Sequence, residues 1–251
     1  MAEPLSQRPR RDVHAGDALT WLRAHAPLAR CSVITSLPDW SELPTLTLAA
    51  WKTWFEEAAF AVISAVPADG IAVFFQSDIR SDGAWIDKGH LVTRAAERAG
   101  MVTWFHHIVC RKPPGTAGAG RASYAHLLGF GAHPPRVVFP TADVMPDGGA
   151  RPGTKAMGTK ACLAALEIIA RATPTRTIVD PFCGFGTVLA VANARGFDAV
   201  GVDLSVRMCR KARALVYDHT RQAVFWPAPD RRSTTPEGQP PPAATDPTEA
   251  T

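Results

Sequence analysis

The chain contains 251 residues, of which 46% are hydrophobic and 20% charged, a balance that excludes general disorder and fits one large domain or two small ones. The longest apolar run, Ala58 to Val66, is too short to span a bilayer, and the basic N-terminus lacks the apolar region of a secretory signal, so we expect a cytoplasmic protein without a membrane partner. The net charge of +4 slightly favours an anionic partner, while 5 scattered cysteines without CxxC pairs argue against a disulfide scaffold or a structural zinc cluster.

Both ends of the chain have the composition of unstructured segments. Residues 1–11 are polar and basic, and residues 226–251 hold seven of the 22 prolines with almost no apolar side chains. Such segments cannot bury enough apolar surface to offset the entropy lost on ordering. The sequence therefore predicts a folded domain over residues 12–225 between two disordered tails.

Short apolar runs alternate with longer helical patterns inside that domain. The predicted strands are Val13–Ala15, Cys31–Ile34, Ile71–Phe75, Val102–Val109, Val137–Phe139, Thr177–Val179 and Ala199–Val202. The predicted helices are Leu46–Ala65, Trp85–Ala99, Ala161–Ala172 and Val188–Arg195. Gly100 stands where a glycine often ends a helix. Strands separated by helices imply a mostly parallel sheet covered on both faces, so the predicted fold class is α/β.

The first three predicted strands each run into a polar turn. Gly16 and Asp17 follow the first strand, Ser36–Trp40 follows the second, and Gln76–Asp78 follows the third. Ligands bind at the carboxyl ends of the strands in open parallel sheets. Asp78 is therefore a candidate for substrate contact, and we consider Lys88 a second one.

A basic loop over Arg111–Arg121 follows the fourth predicted strand. Its Arg111 and Lys112 are suited to contact a phosphate backbone, although a solvated surface loop would have the same composition. The neighbouring pair His106 and His107 invites a metal interpretation, together with Cys110. Adjacent strand residues point to opposite faces, so we expect no metal site there.

The most informative pattern follows the strand Thr177–Val179. The strand ends at Asp180, and a turn containing Gly184 and Gly186 leads directly into a helix, which lets the backbone approach a ligand closely. The next strand ends in Asp203, a carboxylate placed to accept hydrogen bonds from ribose hydroxyls. Leu189 stands where the dinucleotide-binding fingerprint requires its third glycine, so the pattern differs from that fingerprint.

The spelling Asp-Pro-Phe-Cys-Gly-Phe-Gly-Thr over residues 180–187 resembles motif I of the S-adenosylmethionine-dependent methyltransferases. In that family the glycine turn lies beside the amino-acid part of the cofactor, and the acidic residue after the next strand holds the ribose. The resemblance thus implies S-adenosyl-L-methionine as the cofactor.

The order of the motifs resembles the permuted amino-methyltransferases, a group that contains many N4-cytosine and N6-adenine DNA enzymes. There a Gly-Asp turn contacts the cofactor adenine, a catalytic tetrad follows, and the glycine turn comes last. The aligned tetrad is Ser36-Leu37-Pro38-Asp39, and residues Arg151–Ile169 resemble the cofactor-proximal loop and helix. The resemblance covers residues 12–216 and implies a Rossmann-like, seven-stranded sheet with helices on both faces.

The resemblance also implies site residues. It places the catalytic loop at Ser36, Leu37, Pro38 and Asp39. The implied cofactor contacts are Asp17, Met157, Gly158, Asp180, Pro181, Phe182, Cys183, Gly184, Gly186, Thr187, Asp203 and Leu204. The candidate substrate contacts are Trp40, Asp78, Lys88, Arg111 and Lys112.

The tetrad suits an exocyclic amino nitrogen, which is a poor nucleophile because its lone pair is delocalised into the ring. Ser36 and the carbonyl of Leu37 would accept its N–H groups and favour a pyramidal nitrogen aligned with the sulfonium methyl. Asp39 replaces the family's aromatic residue, so either Trp40 stacks on the base or Asp39 is an extra acceptor of an N–H or a proton. The tetrad also has the composition of a turn that caps the next helix through Asp39 or Ser41.

The predicted function is methylation of an exocyclic amino nitrogen of a nucleic-acid base. RNA (tRNA or rRNA) is preferred over DNA, because only Thr141–Ala150 separates the last predicted strand from the cofactor-proximal loop and DNA enzymes of the group usually carry a target-recognition insert there. The alternatives are a DNA N4-cytosine or N6-adenine methyltransferase, a methyltransferase of small molecules or proteins, and a non-catalytic module that binds cofactor or RNA.

Cys183 could serve as a nucleophile, but it lacks an evident partner base and is interpreted as packing.

Overall fold

The structure is a computed structural model and describes residues 8–117, 121–137 and 142–228. Its strands are β1 (Arg11–Ala15), β2 (Cys31–Thr35), β3 (Ile71–Gln76), β4 (Ile79–Ser81), β5 (Ala84–Ile86), β6 (Val102–Cys110), β7 (Tyr124–Gly131), β8 (Val144–Met145), β9 (Thr177–Asp180), β10 (Asp198–Asp203), β11 (Val216–Asp218) and β12 (Ala223–Phe225). Its helices are α1 (Ala18–His25), α2 (Leu48–Ala65), α3 (Lys88–Arg98), α4 (Thr159–Ala172), α5 (Thr187–Ala194) and α6 (Val206–Ala214), with a short 3-10 helix over Trp40–Glu42. Within these described ranges, no helix combines the length and apolar character needed to cross a membrane.

The central sheet has 8 strands in the order β1-β10-β9-β2-β3-β7-β6-β8. The strands from β1 to β3 pair in parallel, whereas β7 is antiparallel to both β3 and β6. The edge strand β8 has only 2 residues, so seven longer strands form the body of the sheet. The predicted α/β class and the mostly parallel sheet are confirmed.

Hydrophobic cores lie on both faces of the sheet. Successive residues of β3 alternate between them: Val73 packs in the cluster that includes α4 and α5, and Phe74 packs in the cluster that includes α2 and α3. Trp51 and Phe55 of α2 are fully buried in the second cluster. This alternation is the expected consequence of the two-residue period of a strand that is covered on both sides.

Capping side chains set the starts of the first three helices. Thr47 accepts a hydrogen bond from the backbone of Ala50, so α2 begins later than the predicted Leu46. Asp87 accepts one from His90, so the predicted helix Trp85–Ala99 is wrong at its start, and Trp85 lies in the hairpin strand β5. Gly100, with φ of +69°, follows the end of α3, as predicted.

Strand β7 was not predicted from the sequence, which placed a strand at Val137–Phe139 instead. Val137 is exposed and lies outside every strand, and the other two residues of that prediction are outside the described ranges. Two glycines hide β7 from sequence analysis: a side chain at Gly129 would collide with the ring of Phe105, and one at Gly131 with the ring of Trp104. The rings of β6 therefore require glycines in a strand, where glycine is otherwise unfavourable. The helices α1 and α6 were also not predicted.

Residues next to both ends of the predicted domain take part in its packing. Arg11, which the sequence places in the N-terminal tail, is the first residue of β1, and its guanidinium donates to the carbonyls of Ala212 at 3.0 Å and Leu215 at 2.6 Å. At the other end, the indole N–H of Trp226 donates to the carbonyl of Lys211 at 3.0 Å. The remainder of the predicted tails lies largely outside the described residues, which begin at Arg8 and end at residue 228.

Candidate functional site

The turns singled out in the sequence converge at one edge of the sheet. They follow β1, β10, β9 and β2, which are direct neighbours, so their carboxyl ends lie side by side. The chain continues from β9 to β10 on one side and from β2 to β3 on the other, which makes the gap between β9 and β2 a topological switch point. Backbone hydrogen bonds join the turns, from Gly16 to Asp203 at 3.0 Å and from Cys183 to Val202 at 2.9 Å.

A cavity of about 640 Å³ opens at this switch point, and we refer to it as the main cavity. Three residues of the predicted catalytic tetrad line it: Ser36, Leu37 and Pro38. Among the predicted cofactor contacts, those that line it are Asp17, Met157, Asp180, Pro181, Phe182, Cys183, Gly184, Thr187, Asp203 and Leu204. The structure thus brings together residues from both ends of the domain around a single space.

Two predicted cofactor contacts, Gly158 and Gly186, do not line the main cavity. Gly158 caps the start of α4 against the carbonyl of Gly148, which leaves no room for a side chain. Gly186 has φ of +82°, and a Cβ there would lie 2.7 Å from Ala212 of α6. Both glycines allow close backbone packing behind the cavity wall.

Asp203 is held at the rim of the main cavity by backbone donors. Gly184 donates to one carboxylate oxygen at 3.0 Å, and Ser205 donates to the other at 2.7 Å. Each oxygen keeps a second acceptor position. Gly184, with φ of +49°, faces open space. The turn therefore presents an oriented carboxylate to hydroxyl groups of a ligand.

Asp180 is buried between β9 and β2. Its carboxyl group accepts hydrogen bonds from the hydroxyl of Thr35 at 2.7 Å and from the backbone of Phe182 at 3.2 Å. Burial, together with the nearby charge of Asp203, raises the pKa of Asp180 to about 7, against the effect of these hydrogen bonds. Asp180 thus links the two strands that flank the switch point.

Cys183 and Asp17 line the main cavity, and burial restrains the first side chain while a hydrogen bond restrains the second. Burial, with the charges of Asp180 and Asp203, raises the pKa of the Cys183 thiol, so the group stays protonated and suits packing rather than nucleophilic attack. The Asp17 carboxylate accepts a hydrogen bond from the backbone of Thr20 at 2.8 Å and so begins α1.

A second, smaller space of about 40 Å³ shares Ser36 and Leu37 with the main cavity. We call it the cationic pocket, because its charged lining residues are Lys88, Arg111, Arg121, Arg151, Lys155, Asp39 and Glu42. The fourth tetrad residue, Asp39, lies here with the predicted substrate contacts Lys88 and Arg111. The structure therefore places the tetrad as the wall between two spaces of different character.

Asp39 both caps a helix and pairs with two cations. It begins the 3-10 helix, and its backbone N–H donates to the carboxylate of Glu42 at 2.9 Å. Its own carboxylate forms an ion pair with the ammonium of Lys88 and lies 3.6 Å from the guanidinium of Arg121. The Lys88 side chain is only 3% exposed, and burial lowers its pKa while Asp39 raises it. Asp39 is therefore the counterion that permits Lys88 to be buried.

Three predicted substrate contacts lie outside both spaces. The indole N–H of Trp40 donates to the carbonyl of Leu46 at 2.8 Å, and its ring packs against the core on the α2 face. The Asp78 side chain is buried and accepts a hydrogen bond from the backbone of Lys88 at 2.8 Å, so it positions the start of α3. Lys112 is exposed on the basic loop.

The histidines of β6 have separate partners. His106 lies 2.9 Å from His126, and His107 lies 2.8 Å from the carbonyl of Ala142. Within the described ranges, the group with metal-ligand atoms close together is instead Asp78, Asp87 and His126, with these atoms within 4.8 Å. Hydrogen bonds account for that group, since Asp87 caps α3 and Asp78 accepts from His126 at 3.1 Å.

Sequence reasoning gave no individual role to several residues that line the two spaces, although it placed Arg121 at the end of the basic loop. Arg121, Arg151, Lys155 and Glu42 lie in loops or a single 3-10 turn, where no hydrophobic period indicates their direction. Glu42 alone carries a local signal, because it follows Asp39 by three residues in the pattern of a capping box.

No protein-family model matches the sequence, and no curated protein matches it. Among solved structures, a candidate DNA modification methylase from Thermus thermophilus, complexed with S-adenosyl-L-methionine, is similar, with 20% identity, a TM-score of 0.61 and coverage of 80% of this chain and 91% of that one. The cytosine-N4-specific PvuII DNA methyltransferase has 14% identity and a TM-score of 0.60, over 84% of this chain and 89% of its own. The M1.HpyAVI complex with SAM has 14% identity and a TM-score of 0.51, over 81% and 97%. The chain thus adopts the Rossmann-like methyltransferase fold.

Proposed function

We propose that this protein is an S-adenosylmethionine-dependent methyltransferase that acts on an exocyclic amino nitrogen of a DNA base. The observation that carries the proposal is the main cavity, in which the tetrad residues Ser36 and Leu37 share one space with the glycine turn and Asp203. The fold provides the context, since two of the similar solved structures named above are a DNA methyltransferase and a candidate DNA modification methylase.

The main cavity fits the cofactor in size and chemistry. Its volume lies within the range usual for small-molecule sites. Asp203 offers acceptors for ribose hydroxyls, and Met157, Phe182 and Leu204 offer apolar surface for the adenine. The Thr187 hydroxyl is buried beside the cavity with no partner among the described residues. When bound there, the cofactor would supply an electrophilic sulfonium methyl group.

Ser36 and Leu37 would position the methyl acceptor. Both residues lie where the main cavity meets the cationic pocket, so a base there would be in reach of a cofactor methyl. The Ser36 hydroxyl and the Leu37 carbonyl accept the two N–H groups of the amino nitrogen, which leaves its lone pair free to attack. The catalytic contribution is positioning and electrostatic stabilisation rather than covalent catalysis.

DNA is favoured over the RNA that the sequence predicts. The RNA prediction depends on the absence of a target-recognition insert. The PvuII DNA methyltransferase nevertheless shares this fold over 89% of its own length, so little room for a separate domain does not argue against DNA. None of the similar structures reported above is named as an RNA enzyme.

The test measures methyl transfer from S-adenosylmethionine to DNA and RNA oligonucleotides, with mass spectrometry for N4-methylcytosine and N6-methyladenine. We expect methylated DNA bases, and we expect Ser36→Ala to lose turnover by about a hundredfold or more while keeping cofactor affinity. Ser41→Ala is the matched control, because Ser41 is exposed on the adjacent 3-10 helix and lines neither space. Methylation of RNA alone would move the substrate to RNA, and absence of cofactor binding would overturn the proposal.

A further inference from the structure

The cationic pocket contains more positive charge than its acidic residues balance. Lys88 pairs with Asp39, and Lys155 lies 3.3 Å from Glu42. Arg121 shares the already paired Asp39 at 3.6 Å. Of the remaining two lining cations, neither Arg111 nor Arg151 has an ion-pair partner among the described residues. The pocket thus presents guanidinium groups whose positive charge a bound anion would neutralise.

The three arginines come from separate parts of the chain, and each has a contact within the domain. Arg111 follows β6 and donates to the hydroxyl of Ser77 at 3.0 Å. Arg121 forms a backbone bridge with Ile79 of β4. Arg151 precedes α4 and lies in hydrogen-bond range of the Thr154 carbonyl at 3.5 Å. A site assembled from distant segments differs from a run of basic residues on one exposed loop.

Electrostatic repulsion within the pocket points to an anionic ligand. Burial lowers the pKa of Arg111, and the positive charges of Arg151 and Arg121 lower it further, against the opposing effect of the Asp39 carboxylate. Bringing like charges together in a partly buried space is unfavourable unless an opposite charge joins them. An oxyanion would meet donors with the fork geometry that guanidinium groups offer to phosphate.

The size of the pocket limits the anion. A water molecule needs about 10–15 Å³ of such space, so a pocket of about 40 Å³ has room for roughly three oxygen-sized positions. That space suits a phosphate group. Since Ser36 and Leu37 also line the main cavity, the anion would lie within about one nucleotide of the methyl acceptor.

We propose that Arg111, Arg121 and Arg151 bind the backbone phosphate of the nucleotide whose base is methylated. This inference rests on the proposed function and adds a binding site for the DNA strand. In this arrangement Asp39, which replaces the family's aromatic residue, draws Arg121 towards the tetrad. The phosphate contact would then help to position the target nucleotide, a task that stacking on the aromatic residue of the tetrad would perform in the family that this chain resembles.

The test measures binding of a fluorescein-labelled 12-mer DNA to the full chain as a function of NaCl concentration. We expect Arg111→Gln and Arg151→Gln each to weaken binding by roughly tenfold and to reduce the slope of log K against log salt by about one. Arg171→Gln is the matched control, since Arg171 is an exposed arginine that pairs with Glu167 on α4 and lines neither space. Arg151 is also exposed, so its variant remains informative if Arg111→Gln does not fold.

A second arm compares deoxycytidine, deoxycytidine 5′-monophosphate and inorganic phosphate by calorimetry. We expect the monophosphate to bind at least tenfold more tightly than the other two, and Arg111→Gln to remove that advantage. Inorganic phosphate binding as tightly as the monophosphate would identify a free-anion site and overturn the proposal. So would salt slopes equal to the wild type in both arginine variants, or no DNA binding at all.

Cofactor binding, measured in the same proteins, separates this inference from the proposed function. Normal S-adenosylmethionine affinity with unchanged salt slopes overturns the phosphate site and leaves the methyltransferase proposal in place. Absence of cofactor binding by the wild-type protein, together with arginine-dependent DNA binding, would overturn the methyltransferase proposal and leave the phosphate site in place.

Discussion

The main cavity and the cationic pocket meet along a wall that includes Ser36, Leu37, Glu42 and Lys155, but they differ in size and in how they are formed. The main cavity, at about 640 Å³, is formed by turns that follow neighbouring parallel strands. The cationic pocket, at about 40 Å³, is formed by loop side chains and the start of α3. One side is organised by backbone geometry and the other by charged side chains.

In the function proposed above, this difference would separate two tasks. The turns shaped by the parallel sheet, such as the glycine turn and Asp203, would bind a cofactor that is the same in every reaction. Long side chains from segments outside those turns, such as Arg111 and Arg151, would bind the DNA, which varies. Substitutions on the two sides should therefore have separable effects.

The largest effect is expected at the buried ion pair of the cationic pocket. Asp39→Asn leaves the Lys88 ammonium buried without its counterion, and we expect a loss of about 3–5 kcal/mol in the free energy of unfolding. Lys88→Met should lower the free energy of unfolding less than Asp39→Asn does, because the Asp39 side chain is 14% exposed and keeps Arg121 nearby. Urea unfolding of both variants measures the difference. Glu57→Gln, in an exposed pair with Arg98, is the control and should change the free energy of unfolding far less than Asp39→Asn does. An equal or larger loss for Lys88→Met would contradict this account.

On the cofactor side, Asp180 should make stability depend on pH. Its pKa is raised from 3.8 to about 7, so the folded protein binds a proton that the unfolded chain releases between these values. This contribution is present at acidic pH and is lost as the pH rises through about 7. The free energy of unfolding of Asp180→Asn, relative to that of the wild type, should therefore rise by on the order of 2–4 kcal/mol between pH 5 and pH 8. Urea unfolding at both pH values tests this, and a difference that stays constant with pH would refute it.

Asp203 should control affinity for the cofactor with little effect on the DNA side. Asp203→Asn weakens the acceptors offered to ribose hydroxyls, and we expect calorimetry to show at least about tenfold weaker S-adenosylmethionine binding. Asp198→Asn is a matched control on the same strand, since Asp198 lies at its opposite end and pairs with Arg10. Equal affinities for the two variants would remove Asp203 from the cofactor site.

The smallest effects are expected at the pair that borders both spaces. Glu42 and Lys155 are 39% and 43% exposed, so Glu42→Gln and Lys155→Gln should each change stability by less than about 1 kcal/mol. Their effects on DNA binding should have opposite signs, with a few-fold gain for Glu42→Gln and a few-fold loss for Lys155→Gln. Changes of the same sign in a DNA-binding assay would show that charge is not what the pocket contributes.

The sequence predicts the parallel half of the fold better than the antiparallel half. Strands such as Thr177–Val179 are apolar, lie next to turn residues and end where the structure ends them to within a residue or two. Strand β7 was missed because Gly129 and Gly131 make room for the rings of Phe105 and Trp104 on the neighbouring strand. That requirement arises from packing between strands and has no local signature.

The candidate site divides in the same way. The proposed cofactor contacts could be identified in the sequence because Gly184 and Asp203 belong to one strand-turn-helix-strand unit with fixed spacing. Of the cationic pocket, the sequence singled out Asp39, Lys88 and Arg111 but not their common location, because the directions of side chains such as Arg121 and Arg151 depend on tertiary contacts. Trp40 shows the limit clearly: its aromatic character suggested base stacking, but a hydrogen bond to Leu46 and core packing hold it away from both spaces.

The pairing of β1 with β10 also has a kinetic consequence. Arg10 and Asp198, joined at the start of this pair, are 188 residues apart in the chain, and such distant contacts slow folding because a long loop must close before they form. During synthesis β1 is made long before β10, so nearly the whole domain must be synthesised before the two strands can pair. The turn at Gly16 and Asp17 can take its place only after β10 is made. The main cavity is therefore completed late in folding, and a truncated chain lacking β10 would have no means of closing it.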